Sequence, residues 1–357
     1  MQRSRTRPPA TLASLAAELG ISRTTVSNAY NRPDQLSPQL RSRVMDAARR
    51  LGYPGPDPVA RSLRTRRAGA IGLLLTEQLS YAFRDPAAVA FLEGLTLECD
   101  HARVGLLLVP ASPDSDDTMA VSSAAVDGFI AYSMPDDDPH LAAVLARPVP
   151  FVICDQPAVE GADLVGIDDR AAARGVADHL LALGHRRVGV VCMRLGRAHR
   201  DGAVDLARQQ AAHYHVQRNR LAGLRDGFTA AGVAWDRVPV VERFEHSLAA
   251  GASGAAQVLS LDPGITALIA TSGVLALGGM EELARRRQRV PEDVSVTGFD
   301  GIKAAADAGL TTVVQPVGEK GRHAGRMLLD PARSIHGRRV VLPTTFLPGT
   351  TSGPPRL

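Results

Sequence analysis

Along residues 11 to 31, TLASLAAELGISRTTVSNAYN, apolar side chains recur at helical spacing in two short blocks. Leu12, Leu15, Ala16 and Leu19 stand at i, i+3, i+4 and i+7, so one face of a first helix is apolar. Gly20 follows the last of them, where a left-handed turn needs no Cβ. Ser22 is placed to cap a second helix, with Ile21 packing on Val26 as a hydrophobic staple. That helix turns Val26 and Tyr30 inward and Arg23, Thr24, Ser27 and Asn28 outward. Ser37 caps a third helix opened by Pro38, with Leu40, Val44, Ala48 and Leu51 as its buried stripe and Gly52 as its stop. Three short helices around one core predict a small all-α unit at the N-terminus.

Beyond residue 69 the pattern changes. Apolar runs at 70–75, 104–109, 128–132, 151–154, 188–191, 267–270 and 294–297 alternate with amphipathic stretches such as 169–184, 220–231 and 274–287. Short β-rich runs without polar alternation predict strands covered on both faces. The expected body is therefore α/β, with parallel sheets and helices on either side.

Charge divides the chain at the same place. Residues 1–68 hold 13 Arg and no Lys against 4 acidic groups, whereas 28 basic and 33 acidic groups follow, so the overall charge of +4 combines +9 with −5. A basic headpiece on a mildly acidic body favours a polyanion at one end. The guanidinium, hydroxyl and amide groups of Arg23, Thr24, Ser27 and Asn28 suit the major groove of DNA, where base edges present paired donors and acceptors.

Other classes lack their signatures. No apolar stretch of about 20 residues is available to span a bilayer, and the basic N-terminus has no apolar signal core, so a cytoplasmic protein is expected. Cys99, Cys154 and Cys192 are too scattered for a disulfide framework or a zinc knuckle. His179 and His185 are poorly spaced for metal, and the glycine cluster at 251–254 lacks the spacing of a nucleophile elbow. No phosphate loop or dinucleotide turn is present. These patterns predict no enzyme, no metal and no cofactor.

The runs TVSNAYN, LGYPGPDPVARSLRTRR, ICD at 153–155, HLLALGHRRVGVV at 179–191, NRLAGLRDGF at 219–228, VPEDVSVTGFDG at 290–301 and LTTVVQP at 310–316 resemble, in order, the LacI (lactose-repressor) family of bacterial transcription regulators. The resemblance implies a helix-turn-helix headpiece at 1–56, a linker helix at 57–68 and a bilobed core at 69–357. The core would be periplasmic-binding-protein-like, with two doubly wound parallel sheets. Its N-lobe would hold about 69–168 and 299–317, its C-lobe about 169–298 and 318–350, with crossings near Asp168, Phe299 and Val317. It further implies a homodimeric repressor on pseudo-palindromic operator DNA, with Thr11, Thr25, Asn31, Ser37, Arg61 and Arg64 at or near the DNA backbone. Asp57 and Pro58 would open a linker helix too short to be stable alone, which orders only with DNA and a second copy. Leu63 would be its minor-groove wedge.

The same resemblance implies a small-molecule effector, a sugar or related metabolite, bound between the lobes by Asp155, Arg220 and Gln315. Tyr81, Phe83 and Phe244 are candidates to stack on its ring. In ATSGVLALGG this chain has Gly273 where the family normally carries an Asp. If that loss marks an anionic ligand, Arg220 would dominate recognition. The Arg-, His- and Gln-rich stretch 195–217 is expected to cover the cleft or form its own helix. A solute-binding protein of sugar uptake with this core is the alternative, but it would need a secretion signal and would have no use for the basic headpiece.

Overall fold

The computed structural model describes residues 10–56, 62, 65–76, 79–330 and 337–356; Arg61, Leu63 and Arg64 of the expected linker lie outside them. The chain divides into two compact units, 1–68 and 69–357.

In the first unit, α1 (Leu12–Leu19) starts at Thr11 in a reciprocal capping box with Ser14 and stops at Gly20, φ 67°. Helix α2 (Arg23–Asn31) is capped by Ser22, and α3 (Pro38–Leu51) runs from Ser37 to Gly52, also at φ 67°. Leu15, Ala16, Val26, Ala29, Val44, Ala47 and Ala48 are buried together. Ala29, not Tyr30, is the second buried position of α2; the Tyr30 ring lies half-buried at the rim, edge-on to Tyr53 at 5.9 Å. A small residue lets α2 approach its neighbours closely, which a phenol at that position would prevent.

The second unit contains two sheets. The first comprises β1 (Ala70–Leu75), β2 (Gly105–Pro110), β3 (Phe129–Tyr132), β4 (Phe151–Cys154) and β5 (Asp163–Gly166). The second comprises β6 (Val188–Met193), β7 (Gly202–Ala203), β8 (Val240–Arg243), β9 (Ala267–Ala270), β10 (Ser295–Asp300) and β11 (Thr311–Val314). Near the C-terminus β12 (Arg339–Val341) joins the first sheet, giving the order β12-β5-β4-β3-β1-β2, and β13 (Thr345–Leu347) joins the second, giving β13-β11-β10-β9-β6-β8-β7. All pairings are parallel except those of the two edge strands β7 and β13.

Pairing corrects the expected lobe boundaries. Strand β10 runs through Asp300 and pairs with β11 as far as Val314, so residues 299–314 belong to the second lobe. Helix Val317–Leu329 packs on helix Pro86–Ala102 and on β4 and β5, and β12 pairs with β5, so 317–341 belong to the first. The chain thus crosses between β5 and helix Asp169–Ala182, between β11 and helix Val317–Leu329, and between β12 and β13. No crossing occurs at Phe299, because leaving there would forfeit the β10–β11 ladder.

Helix pairs on the sheets meet at glycines. A Cβ added to Gly321 would fall 2.2 Å from the carbonyl oxygen of Phe91, and one on Gly223 would fall 2.1 Å from that of Arg170. Such backbone-to-backbone approach holds helix Val317–Leu329 hard against the first lobe and helix His215–Ala230 hard against the second.

Candidate functional site

On the headpiece, Arg23 and Thr24 are exposed and Ser27 and Asn28 half-buried along one side of α2. Several side chains there already have partners. The Asn28 amide donates to Gln35 at 3.2 Å, and that of Asn31 donates back to the carbonyl and hydroxyl of Ser27 at 3.0 and 3.1 Å. Thr11, Ser22 and Ser37 accept backbone N–H groups as caps, and Thr25 shares a hydrogen bond with Ser22 at 2.8 Å.

In the second unit, a cavity opens beyond the carboxyl ends of strands from both sheets. Thr76 after β1, Ser133 after β3 and Asp155 after β4 reach it from the first lobe; Arg194 after β6, Asp300 at the end of β10 and Gln315 after β11 reach it from the second. Tyr81, Asp85, Gln217, Arg220 and His246 add to the polar lining, with Gln156, Tyr132 and Tyr214. Parallel sheets place strand ends and adjoining helix starts together, and loops there can diverge without disturbing the core.

One continuous polar chain runs through the lining and the residues behind it. Arg220, 5% exposed, donates through Nε to Asp169 Oδ1 at 2.8 Å and through Nη1 to the Thr271 carbonyl at 2.6 Å and Asp300 Oδ1 at 3.2 Å. Its plane lies over the Phe299 ring, 3.7 Å from the centroid. Gln315 Nε2 donates to Asp300 Oδ1 at 2.6 Å. Lys320 Nζ donates to Gln315 Oε1 and to Asp155 Oδ1, each at 2.5 Å. Burial pushes the Asp169 carboxyl up despite the downward pull of Arg220, whereas burial pulls Lys320 down but the nearby Asp155, Cys154 and Asp169 together more than offset it, so the ammonium stays above its ordinary range.

Tyr81 meets His246 across the cleft, its hydroxyl 2.5 Å from Nδ1, while Nε2 of His246 lies 2.9 Å from Ser272 Oγ. Burial holds His246 below the usual imidazole range, and burial likewise raises Asp85 nearby.

These features place the chain among known proteins. It is 52% identical over 359 residues to an HTH-type transcriptional regulator of Mycolicibacterium smegmatis, with 98% of each chain covered. A solved LacI-family regulator from Corynebacterium glutamicum is 42% identical, with a TM-score of 0.74 over 97% of this chain and 99% of that one. The chain belongs to the LacI family of transcriptional regulators. A family profile described as a periplasmic binding protein-like domain matches residues 177–352. The structure of the transcriptional regulator CelR in complex with cellobiose is 25% identical, with a TM-score of 0.69 over 96% of this chain and 99% of that one.

In this LacI-family regulator, Asp155, Arg220, Gln315 and Tyr81 come together at the cavity. Phe83 and Phe244 do not join its described lining. Phe83 is 64% exposed, in the turn just past the short helix Leu79–Ala82 that carries Tyr81. Phe244 is buried, with the His199 ring stacked on it at 3.7 Å and the Arg194 guanidinium over it at 5.0 Å.

Gly273 also sits behind the wall. It opens helix Gly273–Arg285, and its N–H donates to Asp300 Oδ2 at 3.4 Å. An added Cβ would come within 2.9 Å of the Phe299 carbonyl oxygen. Gly273→Asp should therefore destabilise the core by ~1–3 kcal/mol, the usual cost of overpacking. Denaturant unfolding of the full-length variant checks this; an unchanged midpoint and slope would show that the helix start yields easily.

Sequence reading missed Lys320, Asp300, Asp169, Asp85 and His246. One signal was available for Lys320, which lies on the stripe Val317, Gly321, Ala324 and Leu328 that faces the first lobe. The stretch 195–217 contains β7 and helix Leu206–Gln210, and it reaches the other lobe at several points. Arg197 pairs with Asp116 at 2.5 Å, His199 with Asp114 at 2.7 Å, and His213 and His215 each with Asp136 at 2.6 Å. Asp136, Asp137 and His213 are close enough to share a cation, but all three are substantially exposed and already engaged with one another.

Proposed function

We propose that this regulator is a homodimeric cytoplasmic repressor that binds a pseudo-palindromic operator and is controlled by an uncharged polyhydroxylated effector, a sugar or related polyol, in the interlobe cleft. The observation that carries the effector reading is that two cations at the cleft, Arg220 in its lining and Lys320 behind it, are paired within the protein. Arg220 is taken by Asp169 and Asp300, and Lys320 by Asp155. An anionic ligand would have to compete with buried carboxylates for these cations, which costs it desolvation without a free counter-charge. Hydroxyl groups need no counter-charge and can both donate and accept among Asp155, Gln315 and Tyr81. The cellobiose bound by CelR supports the same class. Ligand binding would favour one lobe closure over another and so alter the spacing of two headpieces, a population shift rather than a direct contact.

At the DNA, Arg23, Thr24, Ser27 and Asn28 would read base edges, while Thr11, Thr25, Asn31, Ser37, Arg61 and Arg64 would lie at or near the backbone and Leu63 would wedge the minor groove. Arg23→Ala and Asn28→Ala should each weaken operator binding by ~1–3 kcal/mol and relax preference at particular base pairs. Selection of bound duplexes from a random pool, followed by anisotropy titrations of the selected and scrambled sites, tests this. Equal losses on both sites would make these residues phosphate contacts and remove the basis for base reading by α2.

A further inference from the structure

We propose that Lys320, lying behind the cleft wall, is a positioning and specificity residue: it locks the Asp155 carboxylate and the Gln315 amide in one hydrogen-bonding arrangement, and so selects uncharged hydroxylated ligands over cationic ones. The selectivity half of this proposal rests on the polyol reading of the cleft; the locking half does not.

Only two of the 41 basic residues in the chain are lysines, Lys303 and Lys320. Lys303 is an exposed partner of Asp307. Lys320 is 2% exposed. It stands beside Gly321, whose Cα lies against the Phe91 backbone, so its helix cannot move outward to make room for a larger group. A compact ammonium on a flexible stem fits this position, whereas a planar guanidinium with five donors would need more space and more acceptors.

Both acceptors of Lys320 line the cavity, yet Lys320 itself does not. Its two bonds have distinct consequences. Taking Gln315 Oε1 forces the amide Nε2 toward Asp300, where it donates at 2.6 Å, so the amide cannot flip without losing both bonds. Taking Asp155 Oδ1 compensates that carboxylate from within the protein, while Oδ2, which takes only the weak Cys154 thiol at 3.8 Å, keeps acceptor capacity for a ligand hydroxyl. Asp155 also sits at φ 67°, a left-handed conformation that aims its side chain away from the run of β4. The other ionisable groups around this pair are Cys154 and Tyr132 on β4 and β3, and Asp169 and Arg220 from the second lobe. Arg220 is already shared between Asp169 and Asp300, so no second cation replaces Lys320.

Without the ammonium, Asp155 becomes a buried carboxylate that must take a proton or attract a cationic ligand. Its folded-state affinity for protons then exceeds the unfolded value, so the Lys320→Met protein loses stability as pH rises. The test uses full-length wild type, Lys320→Met, Asp155→Asn and Lys320→Met/Asp155→Asn, melted without ligand at pH 5 and pH 8. The expected result is a melting deficit of Lys320→Met that is larger at pH 8, with the pH-dependent part abolished in the double variant. A deficit of equal size at both pH values, or one that persists unchanged in the double variant, would overturn the locking role and reduce Lys320 to packing.

Titration with glucose, cellobiose and glucosamine then addresses selectivity. Lys320→Met should shift preference toward glucosamine over glucose by at least tenfold relative to wild type. Sugar binding with an unchanged preference would overturn the selectivity role. A wild type that binds glucosamine but neither neutral sugar would overturn both that role and the polyol reading, while the pH result would still stand by itself.

Discussion

Replacing Arg220 by methionine should lower the unfolding free energy by ~3–5 kcal/mol at neutral pH, the usual cost of removing one partner from a buried ion pair. Two carboxylates, Asp169 and Asp300, lose their shared cation, and the Thr271 carbonyl loses a donor. Asp169 is already raised by burial with Arg220 present. Removing the guanidinium raises it further above the unfolded value. A carboxylate shifted in that direction favours the folded state most at pH below its unfolded range and progressively less as pH rises through its folded value. The deficit of Arg220→Met should therefore be smaller at pH 5 than at pH 8. Denaturant unfolding of the full-length protein at both values measures it. A loss below ~1 kcal/mol, or one that does not change with pH, would mean that water reaches these carboxylates and replaces the arginine.

Glu242→Leu should cost ~2–4 kcal/mol and loosen the stretch 195–217. Glu242 is fully buried on β8, where it accepts from the Leu195 N–H at 2.6 Å and from Arg208 Nη2 and Nε at 2.9 and 3.2 Å. This one carboxylate ties the beginning of the stretch to the helix in its middle. Arg208 is partly exposed and can turn to water, which places the expected loss below that for Arg220. Amide hydrogen exchange should accelerate across 195–210 while β6 and β9 keep their protection. Uniform acceleration across the second lobe would instead indicate a general loss of its core.

The two cases differ in how much of them could be read along the chain. The stretch 195–217 was visible as an unusually polar insertion, but its anchor lies in another strand and its contacts in another lobe. Arg220 was legible as a cleft residue because it stands early in an amphipathic helix next to a family signature. Its partners were not, since Asp169 and Asp300 become neighbours only when β5, β10 and the helices after them converge. The aromatic candidates divide for a similar reason. Tyr81 and Phe83 are two residues apart in a short helical turn, so their side chains diverge, and nothing local indicates which one faces the cleft.

The sequence by itself determined the units that depend on neighbours close along the chain. Caps at Thr11, Ser22 and Ser37, stops at Gly20 and Gly52, and the apolar stripes between them specify the headpiece, because helical periodicity and capping act over a few residues. Uninterrupted apolar runs likewise specified parallel strands buried on both faces, except at the edge strand β2, where Gly105, Leu107 and Pro110 are exposed. Sheet membership was decided only by the tertiary structure. Strand β11 belongs to the second lobe because it pairs with β10, and helix Val317–Leu329 belongs to the first because glycines let it close on helix Pro86–Ala102. The internal pairing of two cleft cations followed from that assignment, since it places Lys320 against Asp155 and Arg220 between two aspartates. Periodicity is a local property, whereas register and ion pairing arise between segments far apart in the chain, where one residue's spacing carries no information about the other's.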